Sequence, residues 1–460
     1  MKSQNTDLTH GTPWKQLLIF FWPMLLGSLF QQLYTTADAI IVGQFTGKAG
    51  LAAIDAVTSM LRLPVNFFVG LSTGATIIIS QYYGAQNDKG LERALHTAVT
   101  FAIVSGIVVS VIGMSIAPFT VDMLGVPQDI YHMALGYVKV YFGGLFVSLL
   151  YNIGAGILRA VGNSKTPFYV LAVSGLINVV LDLVFVGLMG MGAMGAGLAT
   201  VIAQAVSAVM VVIALMKYEY PLKLNLKKLR IDMKAMKSIC AVGLPIALQS
   251  SLYPITNMTL QASVNATGTD NIAAWALCGK LDMLLWLIID ALSQAVSTFV
   301  AQNYGAGLYG RCKKGINAGH LMTSVFVIAI SAVITIWCVP LGKFFLNKND
   351  YNIAYIAQEL MFLLGPTYII YVSGSIFSSA IRGTGESFLT MIITLLGTCV
   401  PRIFWVFFVI PRSYTLMTIL WSYPVSWAIT SLAFIVYYVK FKKRKLDIEE
   451  NPVDKPVFSA

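Results

Sequence analysis

Residues 193–237 read AMGAGLATVIAQAVSAVMVVIALM followed by KYEYPLKLNLKKLRIDMKAMK, an uncharged run that passes directly into a basic one. At about 1.5 Å per residue, the 24 uncharged residues form a helix long enough to cross the roughly 30 Å hydrocarbon core of a membrane. The basic run carries seven Lys or Arg, which is typical of a loop that faces anionic lipid headgroups. The stretch therefore predicts a membrane helix that ends at a cytoplasmic loop.

The composition of the whole chain agrees with this prediction. Of 460 residues, 57% are apolar in the AVILMFWYC set and 11% are charged, whereas a soluble domain carries about 25% charged residues. These values exclude a water-soluble enzyme, a disordered chain and a disulfide scaffold. The net charge is +11, but the basic residues lie in short segments between apolar runs, so we expect no binding to nucleic acid. The five cysteines and four histidines form no metal-binding or cofactor motif.

Twelve segments have the length and apolarity of membrane-spanning helices, so we predict an all-α integral membrane protein. They are numbered here as spans 1 to 12 and cover 15–43, 51–80, 92–117, 131–158, 166–189, 193–216, 235–263, 272–302, 315–340, 354–381, 387–410 and 414–439.

The distribution of basic residues predicts the orientation of these spans. With the amino terminus inside the cell, 23 Lys and Arg face the cytoplasm and four lie in outer loops. Positive residues concentrate on the cytoplasmic side of membrane proteins. We therefore expect a multi-pass protein of the inner (plasma) membrane with both termini in the cytoplasm.

The second half of the chain repeats the first. Residues 81–85 (QYYGA) recur as 302–306 (QNYGA), residues 158–162 (LRAVG) recur as 381–385 (IRGTG), and the proline of span 1 recurs in span 7. The repeat covers six spans, so both copies have the same orientation. We predict two pseudo-symmetric six-helix lobes, with a linker and a tail. The predicted limits are 1–216 for the first lobe, 217–237 for the basic cytoplasmic linker, 238–440 for the second lobe and 441–460 for a cytoplasmic tail.

Spans 1 to 12 resemble the multidrug and toxic compound extrusion (MATE) transporters, in particular the DinF- and MepA-like branch. The residues that carry the resemblance are Pro23 and Asp38 in span 1, the paired Tyr-Gly-Ala ends of spans 2 and 8, and Asn178, Asp182 and Thr200 in spans 5 and 6. The resemblance implies lobes that face a central cavity and alternate in access. It also implies export of organic cations by antiport with Na⁺ or H⁺.

Asp38, Asn178, Asp182 and Thr200 are the candidate cation-coupling site. Asn178 and Asp182 are four residues apart and share one helix face. Carboxylate, amide and hydroxyl oxygens suit a hard cation such as Na⁺, and two neighbouring carboxylates can also hold a proton. The resemblance places the cation site of the first lobe at these positions. The alternative is a polar clamp between helices in which Asp38 bonds to Asn178.

The second lobe departs from the NorM branch of the family, which has a carboxylate in span 7 and another in span 10. Here those stretches offer Gln249 in span 7 and Tyr368, Tyr371 and Ser373 in span 10, while Glu359 lies near the outer end. The sequence therefore leaves open whether the second lobe contains a second cation site.

Span 8 supplies two carboxylates of its own. Asp282 and Asp290, together with Gln249 and Tyr371, are candidates for a substrate cavity. The alternative for the two carboxylates is a buried ion pair with Lys280 or Arg62.

Other charged residues within spans have simpler explanations. Asp55, Lys139 and Arg402 are expected to snorkel to the membrane surface or to have structural roles. In span 1, Pro23 removes a backbone hydrogen bond and is the candidate hinge that swings Asp38. The competing view is that the kink is static and the lobes rock as rigid bodies.

Two rival functions remain after this reading of the sequence. One is a flippase for a lipid-linked sugar or other lipid, which needs a strongly basic cavity. The other is a membrane-embedded enzyme, for which no nucleophile–base or metal arrangement occurs in the spans. We predict a transporter and not an enzyme, with small organic cations as partners, lipid around it, and a monomeric state.

Overall fold

The computed structural model describes residues 7–346 and 350–447, and nearly all of that chain is helical. Fifteen α-helices follow one another in these ranges, and no β-strand occurs there, so the all-α prediction is confirmed. The helices are α1 Pro13–Gly84, α2 Asp88–Met123, α3 Gln128–Gly143, α4 Leu145–Ala160, α5 Lys165–Asp182, α6 Gly192–Met216, α7 Met233–Asn265, α8 Thr269–Leu281, α9 Met283–Gly305, α10 Tyr309–Ile336, α11 Cys338–Lys343, α12 Tyr351–Gly383, α13 Ser387–Thr394, α14 Val400–Phe404 and α15 Leu416–Lys445.

Helix α1 contains two spans. Its 72 residues would extend about 108 Å as one helix, more than three times the membrane core. Gly47 breaks it, with φ 65° and ψ −158°, a conformation that glycine adopts because it lacks a Cβ atom. An added Cβ at Gly47 would have no atom within 4 Å, so the backbone angle and not crowding selects glycine there. The break falls between predicted spans 1 and 2.

The number of spans agrees with the prediction. Ten helical segments of the described chain are long and apolar enough to cross a membrane, and α3 with α4, bent by 44°, makes an eleventh. Counting α1 as two spans gives twelve.

Two of these spans contain π-helical turns, which widen a helix by one residue. Span 5 continues from α5 as the π-helical segment Leu183–Leu188. Span 11 consists of α13 and α14 with π-helical segments at Leu395–Cys399 and Trp405–Val409.

The described chain forms two units by its internal contacts. Unit 1 is Trp22–Ala247, and unit 2 is Leu8–Phe21 with the chain from Leu248 onward. The chain thus passes between units next to Pro23 and again close to Pro245. The limits predicted from the repeat stay a prediction, and residues 448–460 of the predicted tail lie outside the described residues.

Unit 1 is built on close helix packing. A Cβ atom placed on Gly74 would lie 2.3 Å from the Cα atom of Gly243, and one on Gly70 would lie 2.5 Å from the Cα atom of Ala247. Small residues four apart on both helices allow this backbone contact between α1 and α7. A larger apolar cluster joins the second half of α1 to α2, α3 and α6.

Unit 2 is organised around α12, which packs against α8, α9, α10 and α15. The start of the chain is fixed to this unit by Arg311, whose guanidinium donates hydrogen bonds to the carbonyl oxygens of Leu8, His10 and Gly11. The side-chain amide of Asn303 donates a further bond to the Leu8 carbonyl at 3.0 Å.

Candidate coupling and binding sites

Helices α1 and α5 cross closely in unit 1 on both sides of Asp38. A Cβ atom on Gly175 would lie 2.8 Å from the ring of Tyr34, and one on Gly187 would lie 3.2 Å from the ring of Phe45. Glycine at these two points lets the backbones approach. The approach brings Asp38 of α1 against the face of α5 that follows Gly175.

Asp38 and Asp182 meet at this crossing. Their carboxyl groups lie within hydrogen-bonding reach of each other. The Asp182 side chain has no accessible surface, and Asn178, one turn earlier, is 2% exposed. The structure therefore brings Asp38 of α1 and Asp182 of α5 together, with Asn178 one turn before Asp182 on the same helix.

Most polar side-chain atoms of this cluster lack hydrogen-bond partners. Within the described chain, both carboxylate oxygens of Asp182, one oxygen of Asp38 and both polar atoms of the Asn178 amide are buried and form no hydrogen bond. The bond from Asn178 to Asp38 that a polar clamp needs is not formed. Two adjacent carboxylates without donors repel each other unless a proton or a cation lies between them.

Thr200 lies on α6, one turn after Ala196. Its hydroxyl donates to the Ala196 carbonyl at 3.0 Å, which leaves its oxygen lone pairs free to accept. Ala196 packs with Val42 and Val186 in one apolar cluster, so α1, span 5 and α6 meet beside the carboxylates. The π-helical segment begins directly after Asp182, and such segments are frequent at functional sites.

Unit 2 holds a cluster of aromatic rings around Trp286. The centroid of Trp286 lies 6.0 Å from that of Tyr368, 5.1 Å from that of Tyr371 and 6.0 Å from that of Trp427. Tyr423 extends the cluster, with its centroid 5.7 Å from that of Trp427. Aromatic faces at this spacing attract organic cations.

Asp282 adds a negative charge to this aromatic cluster. One of its carboxylate oxygens accepts a hydrogen bond from the Tyr368 hydroxyl at 2.6 Å and another from the Trp286 ring nitrogen at 3.1 Å. Lys280 points elsewhere, with its ammonium 5.5 Å from the centroid of Phe345. No ion pair of the described chain includes Asp282, so the pairing with Lys280 or Arg62 is not formed.

The other candidates of unit 2 lie on α9, α7 and α12. Asp290 is two turns beyond Asp282 on α9, and its side chain is exposed. Gln249 lies on α7 and donates a bond to the Thr394 hydroxyl at 3.3 Å, while its own carbonyl oxygen is buried without a partner. Glu359 is exposed near the start of α12.

The MatE family profile matches residues 23–184 and again 245–407, and so covers each half of the repeat once. The chain belongs to the MatE family. It is 28% identical over 448 residues to the probable multidrug resistance protein YoeA of Bacillus subtilis, covering 94% of this chain and 95% of YoeA. It is 23% identical to the multidrug export protein MepA of Staphylococcus aureus, covering 96% and 97% of the two chains.

Solved structures share the fold of this MatE-family protein. One is described as the outward-facing conformation of a multidrug resistance MATE family transporter of the MOP superfamily. It matches with a TM-score of 0.89 at 20% sequence identity, over 96% of this chain and 98% of that one. At this identity the match supports the fold.

Sequence analysis of this MatE-family protein missed one feature of unit 2 and left another open. The first is that Trp286, Tyr423 and Trp427 belong to one aromatic cluster, in which Trp286 donates to Asp282. The sequence signal for this cluster was the spacing of Tyr423 and Trp427, which lie four residues apart and so share a helix face. Arg402 does not snorkel: it is buried with no accessible surface. This agrees with the structural role that was expected as the alternative to snorkelling, because α14 faces α7 and α15 at this position and the guanidinium has polar partners there.

Proposed function

We propose that this MatE-family protein is a secondary active multidrug efflux transporter that exports organic cations by antiport with Na⁺ or H⁺. The single observation that supports coupling is the facing pair of Asp38, which is partly accessible, and Asp182, which is fully buried; three of their carboxylate oxygens are buried and form no hydrogen bond within the described residues. Such a pair binds a cation or a proton and releases it when the site opens to water of lower cation concentration. The names of YoeA and MepA support drug export as the activity.

Each member of the cluster has a role in this proposal. Asp38 and Asp182 carry the charge that exchanges with the coupling ion, and Asn178 and Thr200 supply neutral oxygens. All four could ligate Na⁺ when Na⁺ is the coupling ion. A proton would instead be shared by the two carboxyl groups.

The substrate site in this proposal is the aromatic cluster of unit 2. Asp282 supplies the negative charge, and Trp286, Tyr371 and Trp427 supply flat surfaces for a delocalised cation. Asp290 and Gln249 extend this surface with polar groups.

The cellular arrangement is part of the same proposal. The excess of basic residues in one set of loops supports two cytoplasmic termini in the plasma membrane, with the basic residues 217–237 inside. The protein works as a monomer surrounded by lipid and uses no cofactor other than the coupling ion.

The test uses purified protein in lipid vesicles, with a cationic dye and with Na⁺ and pH gradients imposed separately. Wild-type protein should move the dye only when one of these gradients is present. Asp38→Asn and Asp182→Asn should each reduce transport to the level of empty vesicles while the protein stays folded, because each removes the charge that binds the ion. Glu359→Gln, which neutralises an exposed carboxylate of unit 2, should leave transport close to wild type.

Two results would contradict the proposal. Wild-type rates from either Asp38→Asn or Asp182→Asn would reduce the cluster to a structural contact. Movement of a labelled lipid, with no dye transport in either gradient, would favour the flippase.

A further inference from the structure

Arg402 of unit 2 is a buried charge with neutral partners. Its Nε donates to the Ser426 hydroxyl at 3.0 Å, and its Nη1 donates to the Asn257 side-chain oxygen at 2.7 Å. The guanidinium carbon lies 4.2 Å from the centroid of Tyr423 and 5.4 Å from that of Tyr253. Hydrogen bonds and ring faces orient the cation without neutralising it.

No carboxylate of the described chain forms an ion pair with Arg402. A guanidinium stays protonated in proteins, so the positive charge is permanent. Burying such a charge without a counter-ion is strongly unfavourable. The site is therefore electrostatically incomplete as the chain alone builds it.

Two buried donors whose side chains share the neighbour Tyr423 also lack acceptors. Nη2 of Arg402 and the ring nitrogen of Trp427 form no hydrogen bond within the described residues. Trp427 is 1% exposed, and its ring contacts Tyr423, the ring on which Arg402 stacks. Buried N–H groups are nearly always paired, and the described residues provide neither donor with an acceptor.

We infer that Arg402 and Trp427 form a binding site for a small anionic group, either the carboxylate of a transported compound or an inorganic anion such as chloride. Arginine suits both, since its N–H groups bind carboxylates in pairs and its charge attracts halides. Tyr253, Asn257 and Tyr423 enclose the guanidinium and are each partly accessible. The bond from Nη1 to the Tyr253 hydroxyl is long, at 3.4 Å, and easily replaced.

The carboxylate form of this inference rests on the proposed function and narrows its substrate class. Asp282 accepts hydrogen bonds from Trp286 and Tyr368, and Arg402 stacks on Tyr423. The aromatic cluster therefore contacts both an anion and a cation. An amphoteric compound can place its positive group at Asp282 and its carboxylate at Arg402, which a purely cationic compound cannot do.

The experiment uses the full-length protein in detergent and two dyes that differ in one group. One is a rhodamine with a free carboxylate, and the other is the methyl ester of the same dye. The carboxylate form should bind the wild type about tenfold or more tightly than the ester, as a charge-assisted hydrogen bond provides. Thermal stability is measured in parallel while chloride or acetate replaces methanesulfonate in the buffer.

Variants assign the effect to Arg402. Arg402→Gln should remove the preference for the carboxylate dye while the ester binds as before. Trp427→Phe keeps an aromatic face but removes the ring N–H, so it should weaken binding of the carboxylate dye more than binding of the ester. Arg412→Gln removes an exposed arginine of the same unit and should change neither dye. Asp282→Asn should weaken both dyes, because both carry the same positive ring system.

The outcomes separate the two anions and the two proposals. Equal binding of both dyes, with a melting temperature that chloride raises in the wild type and not in Arg402→Gln, assigns the site to chloride. Equal binding with no response to chloride or acetate overturns the inference and leaves the proposed function intact. If neither dye binds the wild type, the proposed substrate site fails, and the chloride and acetate titrations still decide whether Arg402 binds an anion.

Discussion

At the scale of single residues, the contacts of a glycine decide whether it can be replaced. Gly74 faces the backbone of Gly243 across the α1–α7 crossing, where an added methyl group would lie 2.5 Å from the Gly243 nitrogen. Gly279 of α8 is also helical, but an added Cβ there would have no atom within 4 Å. Both glycines lie in helices, and only one of them is required by packing.

We therefore expect Gly74→Ala to destabilise the protein and Gly279→Ala to be tolerated. Backbone atoms cannot rotate away as a side chain can, so overpacking at Gly74 should cost about 1–3 kcal/mol. The measurement is the melting temperature of each purified variant in detergent. A similar melting temperature for both variants would show that α1 and α7 separate easily at this point.

The coupling cluster shows the same dependence on close approach. Gly175 lets Tyr34 and α1 come near α5, and this approach brings Asp38 to Asp182. The charges of the two carboxylates determine what the cluster can bind. The absence of a side chain at Gly175 allows α1 and α5 to come close enough for the carboxylates to meet.

At the scale of the helix, Pro23 lies next to the point where α1 passes from unit 2 into unit 1. Residues 13–21 of α1 belong to unit 2, and from Trp22 the helix belongs to unit 1. Proline has no N–H, so the Ile19 carbonyl loses its usual donor one turn earlier. The weakest part of the helix backbone thus coincides with the change of unit. Pro245 lies two residues before the corresponding change in α7.

Pro23→Ala tests whether a bend at this point drives transport. Alanine restores the hydrogen bond and removes the ring clash, which favours an unbent helix by about 3 kcal/mol, on the order of a hundredfold in population. The bending model expects strong loss of transport with cation binding retained. Distances between spin labels on spans 1 and 5 are measured with and without Na⁺ and at two pH values.

The rigid-body model makes the opposite prediction for this variant. Transport would stay close to wild type, and the distance distributions would be the same in every condition. A change in distance that follows Na⁺ alone or pH alone would also identify the coupling ion.

At the scale of the whole molecule, each unit binds a piece of chain from the other half of the sequence. Unit 2 fixes residues 8–11 through Arg311, as described above. Unit 1 fixes the linker: the Asp232 amide donates to the Thr97 hydroxyl at 3.0 Å, and the Asn225 amide donates to the His96 ring at 3.1 Å. The repeat thus exchanges equivalent segments between its copies.

Amide hydrogen exchange should report each attachment separately. Arg311→Ala should speed exchange within residues 8–21 and leave exchange within residues 225–247 unchanged, because each of the two segments is bound by its own unit. Thr97→Val keeps the side-chain shape, removes the acceptor, and should have the reverse effect. Equal acceleration of both segments by either variant would show that the two attachments open together.

The sequence alone determined the class of this protein and the number of its spans. Long apolar segments without charge are unfavourable in water and favourable in a membrane, so the class of the protein and the number of its spans follow from local composition. The candidates Asp38, Asn178 and Asp182 were also identified, because a carboxylate within a span is costly and the four-residue spacing fixes a common face.

Only the tertiary structure decided how these residues are paired. It placed Asp38 against Asp182, gave Asp282 tyrosine and tryptophan donors instead of Lys280, and buried Arg402 among neutral groups. It also showed that the division of the described chain by internal contacts falls at Phe21–Trp22 and Ala247–Leu248, inside the continuous helices α1 and α7. These outcomes depend on which helix faces meet across the fold, and the periodicity within one helix carries no information about its neighbours.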